Sequence, residues 1–298
     1  MKPAPLWSKA LHDRLVVSVF GRKIQDQIID WNLEQLRKPI ASNFRPMIAR
    51  VCSSFAVRTF YAPNASKFNR RIARLNEFDT CFHVDSSNIL RGTEVSGPVE
   101  KTPMVNGEAD GIELPAWHSF MISSADCPTV ILWSTETDKT VVFHAGRESV
   151  IDRVAIGQGF GTHLYQSVVR NALKSFQGER PKNLRFFITC GIAGRNFCHS
   201  VHEVTYGERN RSMIRYLTKH FGHEVFLGSP DLGCLDLELL IARQFRSFGK
   251  VEPTVPFHDG LDTFGDKDSS GDFALWSCRR AGNGPDSKKR NLVVVNRF

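Results

Sequence analysis

Two apolar runs on either side of a short polar one constrain this chain more than any other feature. Pro128-Thr129-Val130-Ile131-Leu132-Trp133 and Thr140-Val141-Val142-Phe143 are apolar and rich in β-branched and aromatic residues, while Thr135 to Lys139 between them is polar. Runs of this length and composition read as buried strands, and the polar connection makes them a hairpin. Such a hairpin returns the chain beside its start. Cys127 enters the first strand and His144 leaves the second, 17 positions later, so a thiol and an imidazole meet at one sheet end. There they can act as metal ligands or as nucleophile and base. An inert buried cysteine beside an unrelated histidine gives the same pattern, because free Cys is commonly buried.

A chain of 298 residues with 41% hydrophobic content and 22 Phe can bury a sizeable core. No apolar run approaches the roughly 20 residues of a membrane span, and no signal-peptide pattern opens the sequence. A soluble, cytoplasmic protein is therefore expected. Seven cysteines without regular spacing argue against a disulfide framework and for a reducing compartment. The net charge of +8 is concentrated: residues 1–75 carry 14 Lys/Arg against 4 Asp/Glu, whereas 76–298 carry 25 against 27. Such a basic region suits nucleic acid, a protein partner, an anionic surface or an anionic substrate. The Arg70 to Leu75 run also reads as the solvated face of a helix.

Ile24, Ile28, Trp31 and Gln35 follow a helical spacing that Pro39 would end. Further along, Ala49 to Val57 reads as a strand, Ala65 to Leu75 as a helix, 91 to 109 as a surface loop and Phe120 to Ser123 as a strand. Gly157-Gln158-Gly159-Phe160-Gly161 fits neither nucleotide-binding glycine fingerprint and reads as a loop and N-cap before a helix over Thr162–Phe176. Leu184–Thr189 is a strand, Arg209–His220 and Leu235–Phe248 are helices, and Asn291–Asn296 is a closing strand. This alternation is an α/β pattern.

Several segments together resemble the multicopper polyphenol oxidoreductase family, also called the laccase-domain or YfiH-like family. Ser124-Ala125-Asp126-Cys127 and His144-Ala145-Gly146 resemble its T-A-D-C and H-A-G-W signatures. In order along the chain, Phe55-Ala56-Val57-Arg58 is similar to F-T-T-R, Asn69-Arg70 to N-R, and Ala109-Asp110 to A-D. Later, Gly191 to Phe197 is similar to a loop with I-G-P and an aromatic, Leu235-Asp236-Leu237 to L-D-L, and Ser277-Cys278-Arg279-Arg280 to S-Y-R-R. The resemblance implies a layered sandwich of mixed β-sheets with flanking helices, shared with cytotoxic necrotizing factor-like proteins. It spans one catalytic domain over 46–298, leaving 1–45 as a basic extension on which folding would not depend.

What the resemblance further implies is one zinc ion per chain, held by His83, Cys127 and His144, and purine nucleoside phosphorylase-like chemistry on adenosine- or inosine-type nucleosides. Arg58 would bind phosphate or ribose, and Asp110 would orient a ligand or accept a substrate hydrogen bond. Arg279 and Arg280 would assist with the anion, and Arg147 would either add to that site or block the purine pocket. Arg147 stands where the family has Trp, Val84 where it has Gly, Thr59-Phe60 where it has two glycines, and Ile241-Ala242 where it has N-R. Ten histidines without one His-X-His pair argue against a multicopper oxidase centre. His199 and His202, three apart, could share a helix face as ligands or lie at the surface. Two alternatives stand beside the zinc enzyme. One is a metal-free Cys-His deamidase of the cytotoxic necrotizing factor type, and the other a non-catalytic binder.

Overall fold

The computed structural model of the protein describes residues 4–24, 27–32, 51, 58–61, 70, 72–73, 80–84, 90–94, 109–158, 164–253 and 256–298, with side chains outside 58–61, 73, 80–84 and 90–94. The chain opens with the antiparallel hairpin β1 (Trp7–His12) and β2 (Leu15–Phe20), followed by the two-residue pair β3 (Lys23–Ile24) and β4 (Gln27–Ile28). Then come β5 (Arg58–Tyr61), β6 (Ile72–Ala73), β7 (Thr80–Val84), β8 (Leu90–Glu94), β9 (Gly111–Leu114), β10 (His118–Ser124), β11 (Thr129–Ser134) and β12 (Thr140–His144). The short helices α1 (Arg147–Val150) and α2 (Arg153–Gly157) lead to α3 (Val168–Lys174) and β13 (Leu184–Thr189). After α4 (Gly207–Phe221) come β14 (Phe226–Leu227), β15 (Cys234–Leu235), α5 (Leu237–Gly249), α6 (Cys278–Ala281) and β16 (Asn291–Arg297).

These strands make a seven-stranded sheet in the order β1-β2-β16-β10-β5-β7-β8 and a five-stranded sheet in the order β13-β11-β12-β9-β6. The smaller sheet lies between two apolar layers, which is why β11 and β12 have no exposed position. Val130, Leu132, Val141, Phe143 and Phe186 pack with Val169 of α3, Leu217 of α4 and Phe245 of α5. On the opposite face Ile131, Trp133, Val142 and Phe187 pack with Val17, Phe120, Val293 and Val295 of the larger sheet. Successive strand residues point to opposite faces, so a strand buried on both sides reads as a nearly continuous apolar run, with polar residues only at its ends. The architecture is thus sheet on sheet on helices, the layered α/β arrangement expected.

Several elements depart from the sequence reading. Ile24 and Ile28, read with Trp31 as one helical stripe, fall instead in the antiparallel β3–β4 pair, with Ile28 59% exposed and Trp31 fully buried. The Trp31 indole N–H donates to the Gly21 carbonyl at 2.7 Å and its ring meets Phe20, so long-range burial overrides the local period. Gln35 and Pro39 lie outside the described residues. So does nearly all of the expected strand over 49–57, of which Val51 is helical. In the expected helix over 65–75, Ile72–Ala73 is strand β6 and Arg70 has a left-handed backbone, φ 61°. Residues 91–94, the start of the expected surface loop, belong to strand β8 (Leu90–Glu94). Helix α3 begins only at Val168, capped by the Ser167 hydroxyl, and Gly159 and Gly161 lie outside the described residues.

The N-terminal residues are not peripheral to the sheets. β2 pairs with β16 over Leu15–Phe20, and Leu15, Val17 and Val19 join the core between the two sheets. A boundary at residue 45 therefore cuts through the larger sheet. Against the expectation from cysteine spacing, Cys198 and Cys234 form a disulfide, while Cys127, Cys190 and Cys278 are free.

Candidate functional site

The hairpin register does what the sequence predicts: Thr129 pairs with His144, and Ala145 N–H donates to the Pro128 carbonyl at 2.8 Å. Cys127 and His144 therefore share one end of the five-stranded sheet, and Asp110 joins them because its carbonyl accepts the His144 backbone N–H at 2.8 Å. Gly111, next to Asp110, pairs with Phe143, and a Cβ there would stand 2.3 Å from the Phe143 Cβ. Only glycine lets β9 approach β12 this closely.

Three non-glycine residues with left-handed backbones flank this end: Arg70 at φ 61°, Asp126 at 76° and Cys190 at 59°. Such conformations cost energy and persist only where surrounding contacts fix them. Asp126 shows how. Its buried carboxylate accepts from the Thr263 hydroxyl at 2.8 Å and the Arg279 backbone N–H at 2.7 Å, and its carbonyl accepts from Ile192 N–H at 3.0 Å. The residue beside Cys127 thus ties three C-terminal segments to the hairpin. Asp126→Ala is expected to destabilise the chain by about 3 kcal/mol, since two hydrogen bonds to a buried charge are lost. A denaturant midpoint equal to the parent's would refute that role.

Cys127 is half-buried, and burial, with the Asp126 charge beside it, pushes its thiol up to about 12 despite the facing Arg147 backbone N–H. Asp110 is 1% exposed, and burial raises its carboxyl to about 7, even though its Oδ2 accepts the Arg70 backbone N–H at 2.6 Å. Arg70 is no solvated helix face: its guanidinium donates to the Ile151 carbonyl at 2.9 Å and lies 3.7 Å from Asp152.

Arg147 opens α1 directly after the His144 turn. Its Nε donates to Glu148 at 2.8 Å, and its Nη1 lies 3.1 Å from His199 Nδ1. Arg279 carries the cationic surface onward, stacking on Phe197 at 5.4 Å, and Phe197 meets the His199 ring edge-on at 4.6 Å. His199 is 5% exposed. Burial, together with the charges of Arg147, Arg279 and Arg153, drives its imidazole down to about 3. It is neutral at pH 7 and can accept from Arg147. Because the folded value lies below the ordinary 6.5, this contribution is complete above pH 6.5 and is lost as pH falls toward 3. His199→Gln is expected to flatten the loss of stability between those limits by up to about 1.4 kcal/mol per pH unit, read from urea melts across the range. An unchanged slope would exclude the assignment.

The other expected site residues divide. Arg280 is structural: its guanidinium donates to the carbonyls of Thr263 at 2.9 Å, Phe264 at 2.5 Å and Leu275 at 2.6 Å. Arg58 and His83 are described by backbone alone. Arg58 pairs with His118, and Thr59 with both Ser119 and Phe82. Their strands thus sit level with the start of β10, whereas Cys127 follows its end, about 20 Å away at roughly 3.3 Å per residue. His199 and His202 share no helix face, since both precede α4 and His202 is exposed. His199 was read only as a candidate ligand beside His202, not as the partner of Arg147, and Glu148 and Arg153 were not legible as site residues, because no local motif encodes contacts that tertiary packing makes.

A zinc ion suits part of this donor set. Cys127 and His144, a thiol and an imidazole, lie at the same end of the β11–β12 hairpin, and a cation there would displace the thiol proton. Among the described residues no group of three His, Cys, Asp or Glu side chains completes a metal cluster, and His83 has no described side chain.

No family model and no curated protein matches the chain. Solved structures do. The Bacillus licheniformis hypothetical protein YfiH aligns at TM-score 0.57 and 15% identity over 95% of this chain and 93% of its own. A Neisseria meningitidis protein described as DUF152 aligns at 0.59 and 12% over 96% and 95%. YlmD from Geobacillus stearothermophilus aligns at 0.58 and 13% over 96% and 92%. The layered sheets that bring Cys127 to His144 are therefore a YfiH-like fold spanning nearly the whole chain.

Proposed function

We propose that this protein is a zinc-dependent enzyme that cleaves purine nucleosides with phosphate. The observation that carries the reading is the meeting of Cys127 and His144 at one hairpin end of a YfiH-like fold, beside a cationic surface made by Arg147 and Arg279. Held by Cys127, His144 and a third donor, zinc would supply Lewis-acid polarisation of a substrate oxygen. The resemblance gives the third place to His83, but the register sets its strand about 20 Å from Cys127, so which donor fills it is decided by metal analysis of His83→Ala.

The remaining roles fall to the chain's own side chains. Phosphorolysis needs a fixed cation to hold phosphate against the sugar carbon, and such positioning is a large catalytic contribution. Arg147 is suited to it because Glu148 and neutral His199 hold two edges of its guanidinium. Arg279, with Nη2 donating to the Cys198 carbonyl at 2.7 Å, supplies a second anchored cation. Asp110, held near 7, can carry the proton that a departing base takes up. A metal-free Cys-His deamidase needs an activated thiolate, and the high Cys127 value runs against that.

The test is incubation of the protein with inosine or adenosine and phosphate, with free base assayed by chromatography. Base release above a Cys127→Ser control is expected, and Arg147→Met should raise the phosphate KM by about tenfold or more. No release across a nucleoside panel overturns the reading.

A further inference from the structure

Helix α4 carries Arg211, Arg215 and Lys219 at four-residue spacing, which places them on one stripe of its surface. All three line a cavity of about 420 Å³ whose other walls are Val201, Ile214 and Phe226, together with Pro230 and the turn before it. His223 adds a further basic group to the lining, and Asp231 a single acidic one. The cavity belongs to the segment after His199 and shares no lining residue with the Cys127 end.

The walls are fixed. The Cys198–Cys234 disulfide joins the His199 loop to β15, Val201 N–H donates to the Asp231 carbonyl at 2.9 Å, and His199 N–H reaches the Gly233 carbonyl at 3.1 Å. Its volume falls within the range of small-molecule sites, about 300–1,000 Å³, which characteristically join apolar walls to a few placed polar groups.

The charges decide the occupant. Like charges four apart on a helix repel. Lys219 sits in the last turn, where a cation complements the helix dipole, but Arg211 and Arg215 gain nothing from that position. Arg211 is neutralised by Glu208, whereas Arg215 has no ion-pair partner among the described residues. An apolar hollow rimmed by a row of cations matches a molecule with an apolar body and one anionic head. We propose that this cavity binds a small amphipathic carboxylate, its chain against Val201, Ile214 and Phe226 and its head on Arg215 and Lys219.

Isothermal titration of the full chain with decanoate tests this, using decanol as the neutral probe of the same chain length. Saturable one-to-one decanoate binding is expected. Decanol should bind at least about tenfold more weakly, and Arg215→Glu, at an exposed helix position, should weaken decanoate at least about tenfold. Thr218→Trp, which fills the hollow, should abolish binding; should it not fold, Arg215→Glu carries the test alone. Absence of saturable binding below the micellar concentration overturns the proposal. So does equal affinity for decanol, an unaltered Arg215→Glu, or tighter binding of an acidic peptide than of decanoate.

Discussion

Replacing Cys127 by Ser is expected to take the purified protein from about one bound zinc per chain to a trace and to remove base release with it. The argument is one of donor number. Cys127 and His144 are the two candidate ligands whose positions converge by strand register, so losing either leaves a site that cannot hold a divalent ion against water. Perturbing groups that merely support ligands costs roughly 10–100-fold in metal affinity, and removing a ligand costs more. Metal analysis of the parent, Cys127→Ser and His144→Ala proteins reads the effect directly. Full zinc retention in Cys127→Ser would sink the assignment. His83→Ala discriminates within it: loss of metal makes His83 the third ligand, whereas retention agrees with the register that sets its strand level with Arg58 and His118.

A chain beginning at residue 46 is expected to be unfolded or insoluble. Its loss would strip β1 and β2 from β16 and leave a central partner strand as an open edge. Leu15, Val17, Val19, Phe20 and Trp31 are each at most 3% exposed. At about 1.5–3 kcal/mol per buried side chain, their removal withdraws roughly 7–15 kcal/mol, comparable with the whole stability of an ordinary domain, about 5–15 kcal/mol. The C-terminal segment would fail with them. The Trp276 indole N–H donates to the Ile29 carbonyl at 2.7 Å, and the Arg290 N–H donates to the Asp30 carboxylate at 3.0 Å. Circular dichroism and gel filtration of the truncated chain check this. A monodisperse, cooperatively melting product would show that residues 46–298 fold alone.

The amino-acid sequence by itself determined the hairpin from Thr129 to His144, the strands Leu184–Thr189 and Asn291–Arg297, and helices α4 and α5. In each, the local pattern and the tertiary burial agree: β11 is apolar from Val130 to Trp133 because both its faces are covered, and α5 starts where the Asp236 side chain caps the Leu239 N–H. That Cys127 and His144 fall at the same end of the hairpin was legible for the same reason, since a hairpin is a local structure whose register follows from its own residues. Tertiary structure alone decided what depends on partners remote in sequence. Trp31 became a core residue instead of one turn of a helix because Gly21 and Phe20 receive it. Arg147 found His199, 52 positions away, and Arg280 was spent on backbone carbonyls while its neighbour Arg279 reached the cationic surface. No local period encodes such contacts; they form only when the two sheets and the helical layer close on one another.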